Sequence, residues 1–491
     1  MDKKVNDILA EKAGWVYNSI KLGIAIYGKV AERMKRDNAW NKYSKKNLEE
    51  LEILCDDYRN FLDNGKTERE CVAATIKMAE EAGYKNLNTI IQNGKKVKTG
   101  DKVYASYMGK SIVLFQIGKK PIENGMNILG AHIDSPRLDV KQNPLYEDTE
   151  LVYLDTHYYG GIKKYQWVTI PMAIHGVVAK KDGTVVNIVI GEGENEPVVF
   201  ISDLLVHLSQ TQLEKKGAKV VEGEDLNIII GNKPLKGEEK DAVKKNILKL
   251  IKEKYDFEEE DFISAELEVV PAGKARNAGM DSSMILAYGQ DDRVCAYTSL
   301  VAMLSKKKVD TTSCLLLVDK EEIGSVGATG MRSKFFENTL AELLERMGCY
   351  SELTLRRTLA NSNMLSSDVS AAFDPTYASV FEKKNAAYFS KGIVLNKYTG
   401  SRGKSSSNDA NAEYIGKIRQ IFEKHDVSYQ TAELGKVDQG GGGTIAYIMA
   451  LYGMNVIDSG VAVLNMHAPY EAVSKADVYE AKKAYTAFLS E

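Results

Sequence analysis

A short apolar run over residues 314–318 constrains the fold of this chain most strongly. Every residue in the run is apolar, and it ends abruptly in Asp319, Lys320, Glu321 and Glu322. An uninterrupted run of this length predicts a strand that is buried on both faces, as in the sheets of α/β proteins. Reactive groups collect at the carboxyl ends of such strands. One of the two adjacent glutamates could therefore bind a metal while the other handles a proton, although a charged turn is the commoner reason for such a pair.

The length and charge of the chain limit the kinds of protein it can be. A chain of 491 residues exceeds what one simple core supports, which predicts two domains. The 65 basic and 68 acidic residues give a net charge of -3, so we expect neither nucleic acid nor a membrane as a partner. The five scattered cysteines show no Cys-x-x-Cys spacing, which is typical of reduced thiols. The N-terminus lacks the apolar run of a signal peptide, so a cytoplasmic location is expected.

The pattern of predicted elements changes twice along the chain. Residues 1–95 carry the apolar periodicity of amphipathic helices. A β-rich block follows that contains no cluster of acidic and histidine residues, and the mixed pattern of helices and strands then returns. We therefore predict one α/β domain formed by residues 1–145 and 281–491, interrupted by an inserted β-rich domain of residues 146–280.

Five residues with the character of metal ligands stand where predicted elements end. They are His132, Asp291, Glu322, Asp368 and His467. Each alone has an ordinary explanation, such as a helix cap for Asp291 or a surface position for His132. Together they form the mixed nitrogen and oxygen set that suits two Zn²⁺, Co²⁺ or Mn²⁺ ions, with one carboxylate bridging the pair.

Two further acids lie beside these candidates. Asp134 follows His132 by two positions at the same strand end, where it could accept a hydrogen bond from the imidazole and orient it. Glu321 precedes Glu322 and is left to transfer protons.

Five segments resemble, in sequence and in order along the chain, the M18 (aspartyl aminopeptidase-like) metallopeptidases, a family within the co-catalytic zinc exopeptidases. They are GAHIDSPRLDVK at residues 130–141, QDDRV at 290–294, DKEEIGS at 319–325, SSDVSAAFDPTY at 366–377 and LNMHAPYE at 464–471. The stretch IPMAIHG, which contains His175, also resembles a family segment. The resemblance covers most of the chain. It implies a zinc-exopeptidase-type catalytic domain, a mixed sheet flanked by helices, with an inserted β-rich oligomerisation domain.

The resemblance also implies a ligand set for two divalent ions per chain, with zinc expected and cobalt or manganese as alternatives. In it, Asp291 bridges the two ions. His132 and Asp368 complete one site. Glu322 and His467 complete the other.

Further roles and an assembly are implied by the same resemblance. Asp134 supports His132, and Glu321 is the general base. Relatives form hollow dodecamers, so a homo-dodecamer is expected in which His175 reaches a neighbouring active site and binds substrate there, rather than packing inside a strand. The chain departs from the acidic-specific members at Asn396, where a lysine is expected, so the resemblance does not extend to their preference for acidic N-terminal residues.

The predicted function is a metal-dependent aminopeptidase that releases single residues from peptide N-termini. Water between the ions is acidified, Glu321 accepts its proton, and the resulting hydroxide attacks the scissile carbonyl. Two alternatives share the ligand set, namely a deacylase of N-acyl amino acids and a metal-binding assembly scaffold without turnover. An aminopeptidase ignores blocked N-termini, which separates it from a deacylase. Hydrolysis that a chelator abolishes separates both enzymes from a scaffold.

Overall fold

The computed structural model describes residues 37–491. The beginning of the predicted helical region 1–95, and the N-terminal stretch that lacks the apolar run of a signal peptide, therefore lie outside the described residues. Within the described part, none of the helices combines the length and the apolar composition needed to cross a bilayer.

Helices form in both halves of the sequence. Over residues 37–491 they are α1 (Lys45–Asp63), α2 (Glu68–Glu81), α3 (Leu87–Gln92), α4 (Gln210–Leu213), α5 (Ala242–Tyr255), α6 (Gln290–Leu304), α7 (Phe335–Met347), α8 (Glu352–Ala360), α9 (Ala412–Lys424), α10 (Ala446–Ala450) and α11 (Lys475–Phe488). The helices α1 and α2 each begin at a capping box, formed by Ser44 with Asn47 and by Thr67 with Glu70. These caps satisfy backbone N–H groups that the first turn leaves open, so the local sequence determines where both helices begin.

The strands of the described residues form three sheets. In chain order they are β1 (Lys85–Asn86), β2 (Lys102–Tyr107), β3 (Ser111–Gln116), β4 (Asn127–His132), β5 (Arg137–Asp148), β6 (Leu151–Tyr159), β7 (Met172–Ala179), β8 (Val185–Ile190), β9 (Ile228–Gly231), β10 (Ala265–Pro271), β11 (Arg276–Ala278), β12 (Met284–Ala287), β13 (Ser313–Val318), β14 (Asn363–Ser366), β15 (Ser370–Ala371), β16 (Ile393–Asn396), β17 (Tyr429–Thr431), β18 (Asn455–Gly460), β19 (Ala462–Leu464) and β20 (Glu471–Ser474).

The largest sheet has nine strands in the order β1-β2-β3-β13-β4-β14-β18-β16-β17. Its central strands β13, β4, β14 and β18 run parallel to their neighbours within this group. All six residues of β13 are buried. Leu315 and Leu317 pack into a hydrophobic core on one side of the sheet, and Cys314 and Leu316 pack into the core on the other side. The prediction of a strand buried on both faces is confirmed.

A second sheet has six antiparallel strands in the order β8-β7-β10-β5-β6-β9. It encloses a core of its own, in which Trp167 and Phe262 are buried. The sheet begins at Arg137, before the predicted boundary at residue 146, and ends at Pro271. The mixed α/β architecture is confirmed, whereas the domain boundaries and the oligomerisation role stay predictions. The third sheet, in the order β11-β12-β20-β19-β15, carries the turn that contains His467.

Residues 202–216, within the block predicted to be β-rich, are largely irregular. Of this stretch only α4 is α-helical, and the residues before it form an irregular segment with a short 3₁₀ turn. Several of its apolar side chains are exposed, with Leu205 at 53% and Val206 at 71%. A helix in a protein is stabilised mainly by burying one apolar face, and this segment buries none within its own chain.

Candidate metal centre

The candidate ligands meet at one edge of the nine-stranded sheet. Because β13, β4 and β14 are parallel neighbours, their carboxyl ends lie side by side. His132 is the last residue of β4, Glu322 lies in the short turn after β13, and Asp368 follows β14. Asp291 lies in the first turn of α6, and His467 lies in the turn between β19 and β20. Residues far apart in the sequence are thus brought together by the order of the parallel strands.

Two groups of potential ligands share Asp291. His132, Asp291 and Asp368 offer ligand atoms within 4.8 Å of one another, and so do Asp291, Glu322 and His467. The two oxygens of Asp291 face different histidines, with His132 Nε2 at 3.2 Å from Oδ1 and His467 Nε2 at 3.4 Å from Oδ2. His467 Nε2 also lies 3.5 Å from Glu322 Oε2. The carboxylate of Asp291 therefore lies between the two ligand groups, with one oxygen facing each.

The charge of this site is not balanced by the protein itself. Burial, followed by neighbouring carboxylates, raises the pKa values of Glu322 and Asp368 well above the ordinary value. Glu322 Oε1 is buried and, in the part of the chain that the structure describes, has no hydrogen-bond partner. Three carboxylates and two imidazoles that face one another are a donor set suited to Zn²⁺ and similar divalent ions. The residues present therefore fit the metal centre that the sequence predicts.

Asp134 connects the two predicted acids of the β13 turn to the end of β4. It is fully buried, and its carboxylate accepts hydrogen bonds from the backbone N–H groups of Glu321 at 3.1 Å and Glu322 at 3.2 Å. His132 Nδ1 donates to the backbone carbonyl of Asp134 at 3.0 Å, and lies 3.3 Å from its Oδ1. A carbonyl only accepts, so Nδ1 carries a proton, and Nε2, which faces Asp291, is the nitrogen that would bind a metal.

Glu321 faces a cavity of about 510 Å³ next to the ligand groups. Burial raises the pKa of Glu321 to about 7. The cavity is also lined by Asn396, Met466 and the glycine-rich stretch 441–443. Asn396 is 4% exposed, and its Oδ1 accepts no hydrogen bond from any residue in 37–491. The wall of the cavity thus carries an unpartnered neutral amide where acidic-specific relatives are expected to have a lysine.

His175 lies apart from the ligand groups, between α2 and the six-stranded sheet. It is 3% exposed. Its Nδ1 donates to Glu70 at 2.8 Å and its Nε2 to Glu192 at 3.0 Å, because carboxylates only accept. In the single chain both ring nitrogens thus bind carboxylates, and the role of His175 at the active site of a neighbouring chain stays a prediction.

Two contacts to the ligands were not predicted from the sequence. Glu471 is 1% exposed, and its carboxylate accepts hydrogen bonds from the backbone N–H of Asp291 at 2.9 Å and of His467 at 2.8 Å. The backbone carbonyl of Gly161 accepts a hydrogen bond from His467 Nδ1 at 2.7 Å. Glu471 ends the segment LNMHAPYE, so a buried acid close to His467 could have been suspected. A backbone carbonyl leaves no signal in the sequence.

Comparison with known proteins gives consistent matches over nearly the whole chain. The family described as aminopeptidase I zinc metalloprotease (M18) matches residues 61–489. A probable M18 family aminopeptidase 1 of Clostridium acetobutylicum is 65% identical over 454 residues, which are 92% of this chain and 98% of that protein. A protein with the same description from Thermotoga maritima is 45% identical and spans 93% of this chain and 99% of its own length.

Solved structures agree with these matches. The crystal structure of aminopeptidase I from C. acetobutylicum has a TM-score of 0.87 and 63% identity, and it covers 93% of this chain and 99% of its own. The T. maritima M18 aminopeptidase has a TM-score of 0.88 at 45% identity, with 93% and 99% coverage. A structure of the mApe1 dodecamer from S. cerevisiae has a TM-score of 0.72 at 20% identity, covering 90% of this chain and 97% of its own, and shares the fold.

Proposed function

Given that this chain belongs to the M18 family of zinc aminopeptidases, we propose that two divalent metal ions per chain form its catalytic centre. The aminopeptidase activity itself follows from the family. The observation that carries the two-ion proposal is the pair of ligand groups that share Asp291. His132 and Asp368 hold one ion with Asp291, and Glu322 and His467 hold the other. Zinc is the proposed metal, with cobalt or manganese as substitutes because the site lacks thiolates.

Glu321 is proposed as the group that moves protons. Divalent ions at the site would acidify a water molecule and polarise the scissile carbonyl. Glu321 faces the same cavity as the ligands, and burial raises its pKa to about 7, close to the value at which a carboxylate both accepts and returns a proton at neutral pH. It would accept a proton from the attacking water and deliver it to the nitrogen of the leaving amine. Asp134 holds the backbone of this glutamate in place through its hydrogen bond to the N–H group.

The substrates are proposed to be peptides with a free N-terminal amine. Of the acids that line the cavity, Asp291, Glu322 and Asp368 are the proposed metal ligands, which leaves Glu321 to face the ammonium group of a substrate. Asn396 contributes a neutral amide to the wall, so we expect no selection for acidic N-terminal residues.

Assembly into a homo-oligomer, of the dodecameric kind found for the yeast protein, is also proposed. Support comes from the irregular segment before α4, where Leu204, Leu205, Val206 and Leu208 expose 46%, 53%, 71% and 68% of their surface. Contiguous exposed apolar side chains of this kind mark contact surfaces. The predicted cytoplasmic location stays a prediction.

The decisive experiment measures hydrolysis of an aminoacyl-anilide before and after chelation. We expect a chelator to abolish turnover, and added Zn²⁺, Co²⁺ or Mn²⁺ to restore it. Elemental analysis of undialysed protein should give two ions per chain, and a value well below one would contradict the bridging role of Asp291. N-acetylated peptides serve as the second panel. Cleavage of these but not of free-amine peptides would favour the deacylase, and absence of any metal-restored turnover would favour the scaffold.

A further inference from the structure

The segment Tyr159, Gly160 and Gly161, here called the 159–161 segment, begins at the end of β6 in the six-stranded sheet. Each of its three residues contacts a different residue of the metal centre. We propose that the 159–161 segment is a positioning element of that centre, so that the inserted sheet helps to build the active site besides any role in assembly. This inference rests on the proposed two-ion function.

Tyr159 holds Asp134. Its side chain is 8% exposed, and its hydroxyl donates a hydrogen bond to Asp134 Oδ2 at 2.9 Å. The same carboxylate accepts from the backbone N–H groups of Glu321 and Glu322. Removing the hydroxyl leaves one buried carboxylate oxygen with fewer donors, and the orientation of Asp134 becomes less defined. The turn that carries both glutamates then loses a fixed anchor.

Gly161 holds His467. Its carbonyl oxygen accepts a hydrogen bond from His467 Nδ1 at 2.7 Å, so this ring nitrogen carries a proton. The other nitrogen, Nε2, faces Asp291 and Glu322, at 3.4 and 3.5 Å, and is the one that would bind a metal. A histidine that binds a metal needs this division between its two nitrogens. The six-stranded sheet thus selects the tautomer of a ligand that belongs to the third sheet.

Gly160 leaves room for Glu322. A β-carbon built on Gly160 would lie 3.3 Å from Glu322 Oε2 and 3.4 Å from both Glu322 Cβ and Pro136 Cγ. The residue also has a φ of +76°, which a side chain disfavours. A glycine at this position is explained by the close approach of the backbone to a ligand.

The 159–161 segment is itself held firmly. Tyr159 pairs with Arg137 across β6 and β5, and the Arg137 guanidinium lies 3.8 Å from the centre of the tyrosine ring. Arg137 in turn lies 3.2 Å from Glu268 of β10. These contacts anchor the segment to the sheet, so a change in the sheet is transmitted to Asp134 and His467. The six-stranded sheet therefore supplies two hydrogen bonds and one close backbone approach to the centre.

The first test replaces Tyr159 by Phe, which removes only the hydroxyl. Zn²⁺ is titrated into chelator-treated protein in competition with a chromogenic chelator, and turnover is measured on an aminoacyl-anilide. We expect zinc affinity or kcat to fall about 10- to 100-fold, as is typical when a group that orients a metal ligand is lost. We expect KM to change little, because the substrate cavity is lined by other residues. Tyr158→Phe is the matched control, since Tyr158 precedes it on the same strand and is 40% exposed.

The second test replaces Gly160 by Ala. The added carbon should weaken zinc binding by at least about 10-fold, because it presses on Glu322. Gly183→Ala is the matched control. Gly183 lies in the turn between β7 and β8 of the same sheet with a φ of +87°, but nothing lies within 4 Å of its added carbon. Both variants carry the backbone cost of alanine at positive φ, and only Gly160→Ala brings the added carbon into tight contact with Glu322.

The outcomes separate this inference from the proposed function. If Tyr159→Phe binds zinc and turns over like the wild type, the positioning role is wrong, and the same holds if it only melts earlier with unchanged zinc affinity. If Gly160→Ala does not fold, the zinc affinity and turnover of Tyr159→Phe alone decide whether the segment has a positioning role. If the wild type binds zinc but hydrolyses no peptide, the proposed function fails, while weaker zinc binding by Tyr159→Phe would still support the positioning role.

Discussion

Two groups of buried charged side chains in this protein differ in how their charge is balanced. The active-site cluster comprises the five ligand candidates, His132, Asp291, Glu322, Asp368 and His467. The junction cluster lies where α2 meets the six-stranded sheet, and comprises Lys66, Glu68, Glu70, Arg137, His175 and Glu192. Both clusters are rich in carboxylates, and both contain histidine.

Every carboxylate of the junction cluster faces a cation of the same chain. Glu70 and Glu192 accept hydrogen bonds from the two nitrogens of His175, and Lys66 also binds Glu192. Glu68 is fully buried, with Arg137 at 3.5 Å and Lys110 at 3.3 Å. The charges of this cluster are thus paired within the described residues, and the pairs tie α2 to the six-stranded sheet.

The active-site cluster has three carboxylates for two imidazoles, whereas the junction cluster has three carboxylates for three cations. A buried charge that its own chain does not pair calls for an external ion. Charge balance, more than the presence of histidine and acid, therefore distinguishes the two clusters.

Glu321→Gln should have the largest effect, and only on the active-site cluster. The substitution removes the proposed proton acceptor but none of the ligands, so we expect turnover to fall about 10²- to 10⁴-fold while two ions stay bound. Turnover of an aminoacyl-anilide and elemental analysis of the same sample measure both. Wild-type turnover in this variant would show that another group moves the proton.

Glu68→Ala should have the largest effect on the junction cluster. It removes a buried carboxylate 3.5 Å from Arg137, but Arg137 keeps Glu268 at 3.2 Å and Asp139 at 2.8 Å, so we expect a loss of about 1–3 kcal/mol in the free energy of unfolding. Urea denaturation of metal-free protein measures this loss. Glu49→Gln is the control, because its pair with Lys45 at 4.0 Å is exposed and is expected to contribute less than about 0.5 kcal/mol. Equal losses in both variants would remove the case for a structural junction.

Asp368→Asn should have opposite effects with and without metal. Asp368 is buried near the like charges of Asp292 and Asp291, so the neutral amide relieves repulsion in metal-free protein and should raise its melting temperature. With Zn²⁺ present the lost ligand should lower the melting temperature relative to the wild type, and each tenfold loss of affinity corresponds to about 1.4 kcal/mol. Thermal melts in chelator and in Zn²⁺ test this. A variant that melts earlier in both conditions would show that the cluster is balanced without metal.

The ligand positions could be predicted from the sequence because they follow from topology. A run of apolar residues that ends in acids identifies a strand and its carboxyl end, as for β13 and Glu322, and parallel neighbours bring such ends together. The resemblance of short segments then supplied the pairing of His132 with Asp368 and of Glu322 with His467. Predicting these positions requires only where strands and helices end and the order in which they follow along the chain.

Charge balance could not be predicted, because it depends on contacts between residues that lie far apart in the sequence. Glu70, which binds His175, lies 105 residues away from it, and its helix carries no sign of the partner. The contact of Gly161 with His467 is made by a backbone carbonyl across 306 residues. His132 and His175 both lie in segments that resemble the family, so only the surroundings of each in the folded chain distinguish them.

His175→Gln is the smallest and last of these changes, and its effect should depend on pH. Burial opposes protonation of His175, but hydrogen bonds to Glu192 and Glu70 raise its pKa above the ordinary value of 6.5. The stabilisation that it provides is therefore complete below pH 6.5 and is lost as the pH rises through the raised pKa. For Glu70 and Glu192, burial opposes ionisation, but His175 lowers both pKa values below 4.5, so their contribution is lost only in acid.

The difference in the free energy of unfolding between the wild type and His175→Gln should therefore fall as the pH rises from about 6.5 into the alkaline range. We expect a fall of about 1–3 kcal/mol, which is the size of the contribution of hydrogen bonds between charged groups. Two other charged groups face this site, namely Lys66 beside Glu192 and Glu268 opposite His175 on β10. Both are present in the two proteins, so their contributions to the pH dependence cancel in the difference. Melting temperatures between about pH 5 and 9 measure the effect. If His175 instead serves a neighbouring chain, the two pH profiles will run parallel and the variant will lose turnover at unchanged metal content and particle size. If His175 belongs to the junction cluster, the two pH profiles will differ and turnover will stay unchanged. The reason is that a histidine with both nitrogens bound to carboxylates of its own chain contributes to stability rather than to substrate binding.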